Sequence, residues 1–338
     1  MAKIGVVGAG SWGIALAVHL ADKKGHAVKV WSCIGAEIDM LNEKREHVDK
    51  LPGVKLSENI SFTKDLAESI MGMDLVILAV PSVFTRSTAK QMKEFVEAGQ
   101  IILSVGKGIE ENSLKILTEV IKDEIPQCET AVLCGPSHAE EVGRGLPTTI
   151  VAGSTKKAVA EKVQMLFHAD TLRVYISPDV LGMELGGALK NVIALAAGIS
   201  DGLGFGDNTK AGLITRGIAE ITRLGIAMGG KAETFYGLTG IGDLIVTCDS
   251  LHSRNRKAGF LMGQGKTMQE AMDEVKMVVE GVYSAKAAKA LADKYGVEMP
   301  LVDCVNSVLF GGVSAKEAAT ALVRRDSKPE HEVLEWTE

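Results

Sequence analysis

Aromatic residues are scarce in this 338-residue chain: Phe, Trp and Tyr make up 4% of it, against 46% hydrophobic residues and 37 glycines. Its cores must therefore be built from small aliphatic side chains, as in an Ala/Gly/Val-rich α/β protein, and so high a hydrophobic content excludes intrinsic disorder. Cysteine is sparse as well. Cys33, Cys128, Cys134, Cys248 and Cys304 are odd in number and never spaced Cys-x-x-Cys, which argues against a disulfide framework and a zinc site and fits a reducing compartment. No metal is expected. Excess positive charge is missing: a net charge of −6 offers no general attraction to nucleic acid or an anionic membrane, so an anionic ligand must be caught by a few local cations. Internal repeats and low-complexity tracts are missing too. Met1 to Val7 passes into a strand pattern with no apolar signal region, and the apolar stretch after Ala188 is broken by Lys190 and Asp201. A soluble, cytoplasmic protein without membrane insertion is expected.

The length suggests two domains. Lys3 to Val7 is a short continuous apolar run, the pattern of a strand buried on both faces of a parallel sheet. It leads directly into Gly8-Ala9-Gly10-Ser11-Trp12-Gly13, and a helical pattern follows from Ile14 to Leu20. This is G-x-G-x-x-G in the setting that gives it meaning, strand, tight turn and helix start. Gly8 permits the turn, Gly10 lets the backbone approach a pyrophosphate, Gly13 allows close helix–strand packing, and the free N–H groups hold phosphate oxygens. The second strand, Ala27 to Trp31, ends in Ser32-Cys33-Ile34. Neither the acidic reader of a ribose 2′-hydroxyl nor a cation for a 2′-phosphate stands there, so NAD and NADP remain equally open.

Further buried strands are expected at Asp74–Val80, Ile101–Val105, Thr130–Cys134, Thr148–Gly153 and Thr171–Ile176. The third and fourth of this whole set end in Pro81-Ser82 and Gly106-Lys107-Gly108, and the fifth in Gly135-Pro136-Ser137-His138-Ala139, so Lys107 and Gly135 to Ala139 should share a rim with the dinucleotide loop. His138 reads equally as an acid–base group or as a polar residue in a helix's first turn. The expected architecture is a Rossmann-like doubly wound parallel sheet over residues 1–178 followed by an all-helical domain over 179–338, with a charged, fraying tail from Arg325 to Glu338. A homodimer is the expectation for oligomeric state, from the frequency of symmetric dimers alone.

Three polar spots stand out in the helical half. In Glu184-Leu185-Gly186-Gly187-Ala188-Leu189-Lys190-Asn191, a helix starting near Ser177-Pro178-Asp179 places Leu185, Leu189, Val192, Ile193 and Ala196 on one face and leaves Lys190 and Asn191 off it. Two adjacent glycines cost a helix about 1 kcal/mol each, so close approach of another backbone or a ligand is expected beside them. A glycine-rich turn, Gly237 to Gly242, delivers Asp243, which reads as an N-cap or as a functional carboxylate. Ser253-Arg254-Asn255-Arg256 offers the planar fork and polar donors of an anion clamp, or a plain surface turn.

Gly8-x-Gly10-Ser11-Trp12-Gly13, Lys107-Gly108, Cys134-Gly135-Pro136-Ser137-x-Ala139, Glu184-x-x-x-Ala188-x-Lys190-Asn191, Gly240-x-Gly242-Asp243-Leu244 and Ser253-Arg254-Asn255, in this order, resemble the bacterial-type NAD(P)-dependent glycerol-3-phosphate dehydrogenases over nearly the whole chain. The resemblance implies reversible reduction of dihydroxyacetone phosphate to sn-glycerol 3-phosphate, the phospholipid backbone precursor. By position it implies Lys190 as the proton-transferring residue, with Asp243 and Lys107 beside it. Lys107, Gly135, Ser137, Asn191, Asp243, Thr247, Ser253, Arg254 and Asn255 match the substrate site. Gly8, Gly10, Ser11, Trp12, Gly13, Cys33, Lys107, Ala139, Arg254, Val278 and Glu280 match the cofactor site. Cys33 departs from relatives that carry Arg or His beside a 2′-phosphate. A 3-hydroxyacid dehydrogenase would share the glycines and the Lys-Asn pair but has no use for Ser253-Arg254-Asn255; a non-catalytic dinucleotide sensor has no use for Lys190, Asp243 and Lys107 together.

Overall fold

The structure, a computed structural model, describes residues 1–327, 329 and 330; most of the charged tail read from Arg325 to Glu338 lies outside them. Lys3–Val7 (β1) buries every residue but its first, because both faces of the sheet are covered here. The other strands are Ala27–Trp31 (β2), Glu46–His47 (β3), Leu51–Lys55 (β4), Ile60–Thr63 (β5), Leu75–Leu78 (β6), Ile101–Ser104 (β7), Glu129–Cys134 (β8), Thr148–Gly153 (β9) and Leu172–Ser177 (β10). Eight of them form one sheet in the order β10-β9-β8-β7-β6-β1-β2-β5, and β3 and β4 make a separate hairpin. Val7 stands between Trp31 of β2 and Leu78 of β6. The strand order reverses beside β1, so the carboxyl ends of β1 and β6 open a crevice there.

The sheet departs from the expected all-parallel form at one seam, where β8 and β9 run antiparallel. The chain between them carries a single five-residue helix, about 7 Å long, which cannot carry the chain back past a six-residue strand about 20 Å long. β5 and the β3–β4 hairpin have no counterpart in the sequence reading. Four residues of alternation in Ile60–Thr63 give little signal, and Pro52-Gly53 inside β4 reads as a turn.

Helices flank the sheet: Ser11–Val18 (α1), Gly35–Lys44 (α2), Thr85–Met92 (α3), Leu117–Glu124 (α4), Ala139–Gly143 (α5) and Lys157–Phe167 (α6). From Val180 onward all described elements are helical: Val180–Gly202 (α7), Asp207–Ala227 (α8), Ala232–Phe235 (α9), Asp243–Asp249 (α10), Arg254–Gly263 (α11), Met268–Val275 (α12), Glu280–Tyr295 (α13), Pro300–Phe310 (α14) and Ala315–Val323 (α15). The cap of α7 is Asp179, which accepts the Gly182 N–H at 3.0 Å, while Ser177 Oγ instead accepts the Asp179 N–H in the turn before it.

α7 is wrapped by protein along nearly its whole length. By length and composition it could cross a membrane, but 83% of its apolar window is buried inside the fold. Its partner α11 lies so close that a Cβ added to Gly198, Gly202, Gly259 or Gly263 would run into the other helix's backbone. The segment after β7 crosses over to this half: Ile109 and Ile116 pair through a single bridge and belong to the helical core.

Candidate active site

The glycine loop divides its work by position. Gly8 has φ of +118°, and a Cβ there would meet the Ala79 carbonyl at 2.7 Å. A Cβ on Gly13 would overlap the Gly8 carbonyl, so α1 can seat against the strand only with hydrogen at that position. Gly10 is different: nothing lies within 4 Å of where its Cβ would stand. The open space therefore faces the start of α1, where free N–H groups and the positive helix end suit a pyrophosphate. Ser11 and Trp12 begin that helix half-buried, and the Trp12 Nε1–H is buried with no hydrogen-bond partner among the described residues. An orphaned donor and an open glycine fit a dinucleotide.

On α7 the two adjacent glycines have distinct neighbours. A Cβ on Gly186 would sit 2.6 Å from the Thr239 carbonyl, and one on Gly187 would sit 2.8 Å from Cys134 Sγ, with the Lys107 stem beyond it. Gly186 thus admits the π-helical turn Leu238–Gly242, a local form frequent at functional sites, and Gly187 admits the end of β8 and Lys107. The turn ends in Asp243, and its carboxylate caps no helix. Oδ1 accepts from Lys190 Nζ at 2.6 Å and Oδ2 from Lys107 Nζ at 2.7 Å. Lys190 also donates to Thr247 Oγ at 2.5 Å, and that hydroxyl donates onward to the Asp243 carbonyl at 2.6 Å. Lys107 donates in addition to the Gly135 carbonyl at 2.9 Å, which also accepts from Ser137 Oγ.

Two ammonium groups and one carboxylate here share a nearly dry seam: Lys190 is 5% exposed and Asp243 1%. Burial is the main force that pulls Lys190 down, to about 8; Asp243 resists it and the like charge of Lys107 adds to it. For Lys107 burial is again the largest single effect and acts downward, but the charge and hydrogen bond of Asp243, with smaller contributions from Cys134 and Lys190, together outweigh it and the group stays above its ordinary value. Asp243 is held below the usual carboxylate range, because the two ammonium groups overcome burial. Burial pushes the Cys134 thiol up to about 11, so it is no nucleophile near neutrality. A lysine that is charged at pH 7 yet releases its proton near 8, with a second cation beside it, is equipped to stabilise and protonate an oxygen that gains negative charge.

Asn191 and Asn255 join this cluster to the rest of the helical half. Asn191 Nδ2 donates to the Lys107 carbonyl at 3.3 Å, Asn255 Nδ2 donates to Asn191 Oδ1 at 2.9 Å, and Asn255 Oδ1 accepts the Gly281 N–H at 2.9 Å. Both ends of the Asn255 amide are therefore engaged within the protein. The other members of that motif diverge: Ser253 caps α11 through the Arg256 N–H, Arg256 pairs with Asp201 at 2.7 Å, and Arg254 is exposed on the rim.

Along the cofactor rim, Glu280 opens α13 and accepts from the backbone N–H of Ser82 at 3.0 Å and from its hydroxyl, which ties the end of β6 to the helical half. Val278 is half-buried just before it, and Ala139 is buried at the start of α5. His138 precedes that helix without capping it by its side chain, and burial lowers its pKa. Beyond β2, Cys33 is exposed. The first carboxylate after Cys33 in the chain is Glu37, which the sequence reading does not single out because it stands in the first turn of α2 rather than at the strand end. It accepts from Ser32 Oγ at 2.5 Å, His47 Nε2 at 2.9 Å and Lys50 Nζ at 2.5 Å; against the opposing effect of burial, these hold it at about 2.

A glycine loop at the switch point of a Rossmann-like sheet, joined to a helical second half with a buried lysine–carboxylate cluster at the seam, defines a two-domain nicotinamide-dependent oxidoreductase. The families described as NAD-dependent glycerol-3-phosphate dehydrogenase N-terminus and C-terminus match residues 3–160 and 179–320. The chain belongs to the NAD-dependent glycerol-3-phosphate dehydrogenase family. It is 65% identical to the glycerol-3-phosphate dehydrogenase (NAD(P)+) of Agathobacter rectalis, over 99% of this chain and 100% of that one, and 54% identical to that of Fusobacterium nucleatum, over 98% and 99%. The crystal structure of the Coxiella burnetii glycerol-3-phosphate dehydrogenase superposes with a TM-score of 0.92 at 37% identity, covering 96% of this chain and 99% of that chain.

Proposed function

We propose that this chain reversibly reduces dihydroxyacetone phosphate to sn-glycerol 3-phosphate with NAD(P)H, supplying the glycerophospholipid backbone, and that Lys190 is its proton donor and acceptor. The observation that carries the assignment is the buried contact of Lys190 and Lys107 with one carboxylate, Asp243. Residues 1–178 serve as the dinucleotide-binding domain and 179–338 as the substrate domain. Gly8, Gly10, Ser11, Trp12 and Gly13 would hold the pyrophosphate of the cofactor, Cys33 would border its adenosine end, and Ala139, Arg254, Val278 and Glu280 would border the rest. When bound, the reduced nicotinamide supplies a hydride to the substrate's carbonyl carbon.

Asp243 and Thr247 hold two of the three Lys190 ammonium protons, which leaves the third for the substrate's carbonyl oxygen. As negative charge grows on that oxygen, Lys190 donates its proton, and Lys107 keeps a fixed positive charge close by. In the reverse direction neutral Lys190 takes the proton back. Arg254, with Ser253, Gly135 and Ser137, receives the substrate phosphate; Asn255 and Asn191 hold Lys107 in register. The phosphate contacts would orient the carbonyl for reaction, which is where binding free energy becomes rate. The enzyme works in the cytoplasm as a homodimer.

Steady-state kinetics on dihydroxyacetone phosphate, with NADH and NADPH side by side and 3-hydroxyisobutyrate as the competing substrate, test the reading. Lys190→Ala is expected to lower kcat by at least about 100-fold, the usual scale for general acid–base catalysis, while dinucleotide affinity stays within twofold. Near-normal turnover in the variant would refute the assignment, and tight dinucleotide binding without turnover in the wild type would favour a sensor.

A further inference from the structure

The first residue of the helical motif, Glu184, is used by none of the steps above, yet it is 4% exposed, and a carboxylate is costly to place there unless it is hydrogen-bonded. Its partners lie across the domain seam. Both carboxylate oxygens accept the backbone N–H of Thr118, at 3.2 and 3.3 Å, and Oε2 accepts the Thr118 hydroxyl. Thr118 stands in the first turn of α4, where a negative group meets free N–H donors.

The chain between Lys107 and Thr118 is then held against α7 at both ends. At one end Asn191 Nδ2 takes the Lys107 carbonyl; at the other, two turns earlier on the same helix, Glu184 takes Thr118. Between these ties Ile109 and Ile116 are buried in the helical core. Lys107 is carried by a strap whose two ends are fastened to the helix that bears Lys190.

We propose that Glu184 is a positioning residue: by fastening the start of α4 through Thr118, it sets where Lys107 stands relative to Lys190 and Asp243. Burial raises Glu184 to about 7, only partly offset by the Thr118 donors, so its charged form costs the fold stability. The proposal rests on Lys107 serving the reaction, and Lys107→Ala tests that separately.

The experiment compares Glu184→Ala, Glu184→Gln, Thr118→Val and Lys107→Ala in the full-length enzyme, measuring kcat, both KM values and Tm. Glu184→Ala is expected to lower kcat about tenfold and leave the KM for the dinucleotide within twofold. Glu184→Gln, which keeps an acceptor for Thr118, is expected to restore kcat to within about twofold of wild type. Thr118→Val removes the hydroxyl but keeps the N–H, and should lower kcat about threefold with a smaller loss of Tm than Glu184→Ala. If Glu184→Ala is folded and its kcat stays within twofold of wild type, the proposal is wrong. If Glu184→Ala does not fold, unchanged kcat in Thr118→Val, or a folded Glu184→Gln with a tenfold loss, overturns it. A Lys107→Ala enzyme with full turnover would instead overturn the underlying reading of the site.

Discussion

Asp243→Asn removes one negative charge from between two buried ammonium groups and changes little in shape. Lys190 Nζ lies 2.6 Å from Asp243 Oδ1. At an effective dielectric near 20, two unit charges about 4 Å apart interact by about 4 kcal/mol, and each pKa unit corresponds to about 1.4 kcal/mol. Losing the carboxylate should therefore lower the pKa of one lysine by about three units. The Lys190 side chain is 6% exposed against 17% for Lys107, so Lys190 is the group that gives up its proton, falling from about 8 to about 5. The sign follows from its role. With Lys190 as the proposed proton donor, reduction needs it protonated, so kcat/KM for dihydroxyacetone phosphate is expected to be high below the free-enzyme pKa and to fall as pH rises through it. At pH 7 about nine-tenths of Lys190 is protonated in the wild type and about 1% in Asp243→Asn, a loss of about 100-fold, of which about half the wild-type level returns at pH 5. Initial rates of NADH and NADPH oxidation between pH 5 and 9 measure both profiles. A variant whose alkaline limb stays near 8, or whose loss is the same at every pH, would refute the charge-coupling argument.

Two glycines of one loop should respond in opposite ways. Gly10→Ala places a methyl group in open space, so Tm is expected to hold while dinucleotide binding weakens; Gly13→Ala drives a methyl into the Gly8 carbonyl and should destabilise the fold by about 2 kcal/mol, read by chemical denaturation. Equal Tm values for the two variants would break the division of labour assigned to the loop. Arg254→Ala removes an exposed cation on the rim, so Tm should not change, and losing charge-assisted bonds worth about 1.5 to 3 kcal/mol should raise the KM for dihydroxyacetone phosphate about 10- to 100-fold with a smaller effect on kcat. An unchanged KM would take the phosphate away from this arginine.

The parts of the fold legible in the sequence are those whose requirement is local. Gly8 and Gly13 are dictated by a turn and a helix–strand contact within six residues, and β1 advertises its double burial in five. The glycine pair on α7 is intermediate: Gly186 and Gly187 announce that something comes close, but the Thr239 carbonyl and Cys134 that do so are 53 residues away on either side, and only the tertiary fold supplies them. Asp243 shows the limit clearly. Locally it reads as a helix cap, and what makes it an ion-pair hub is a pair of lysines from two other elements. Ser82 gains its meaning the same way, from Glu280 198 residues further on; Glu37 has partners close by in the chain, and what hides it is its place in the first turn of α2 rather than at the strand end. The antiparallel seam between β8 and β9 was hidden in a connection whose length, not its residue types, forbids the crossover.

The charge distribution explains why the site needs the rim as well as the buried cluster. The chain carries a net −6, so at long range a phosphorylated substrate is repelled rather than drawn in. At physiological salt that field decays over about 8 Å, and attraction has to come from charges within contact reach. Lys107, Lys190 and Asp243 sum to one positive charge, but it is buried and felt only once the carbonyl has entered the seam. Arg254 stands outside it, exposed and within electrostatic reach of Glu280. On the proposed assignment, a dianionic phosphate held there and a carbonyl oxygen reaching the buried lysines would form a two-point anchor. Its outer contact would work in water and give mainly affinity; its inner contact would work where water is excluded and give mainly rate. This separation is what makes a KM effect at Arg254 and a kcat effect at Lys190 the expected signatures of one site.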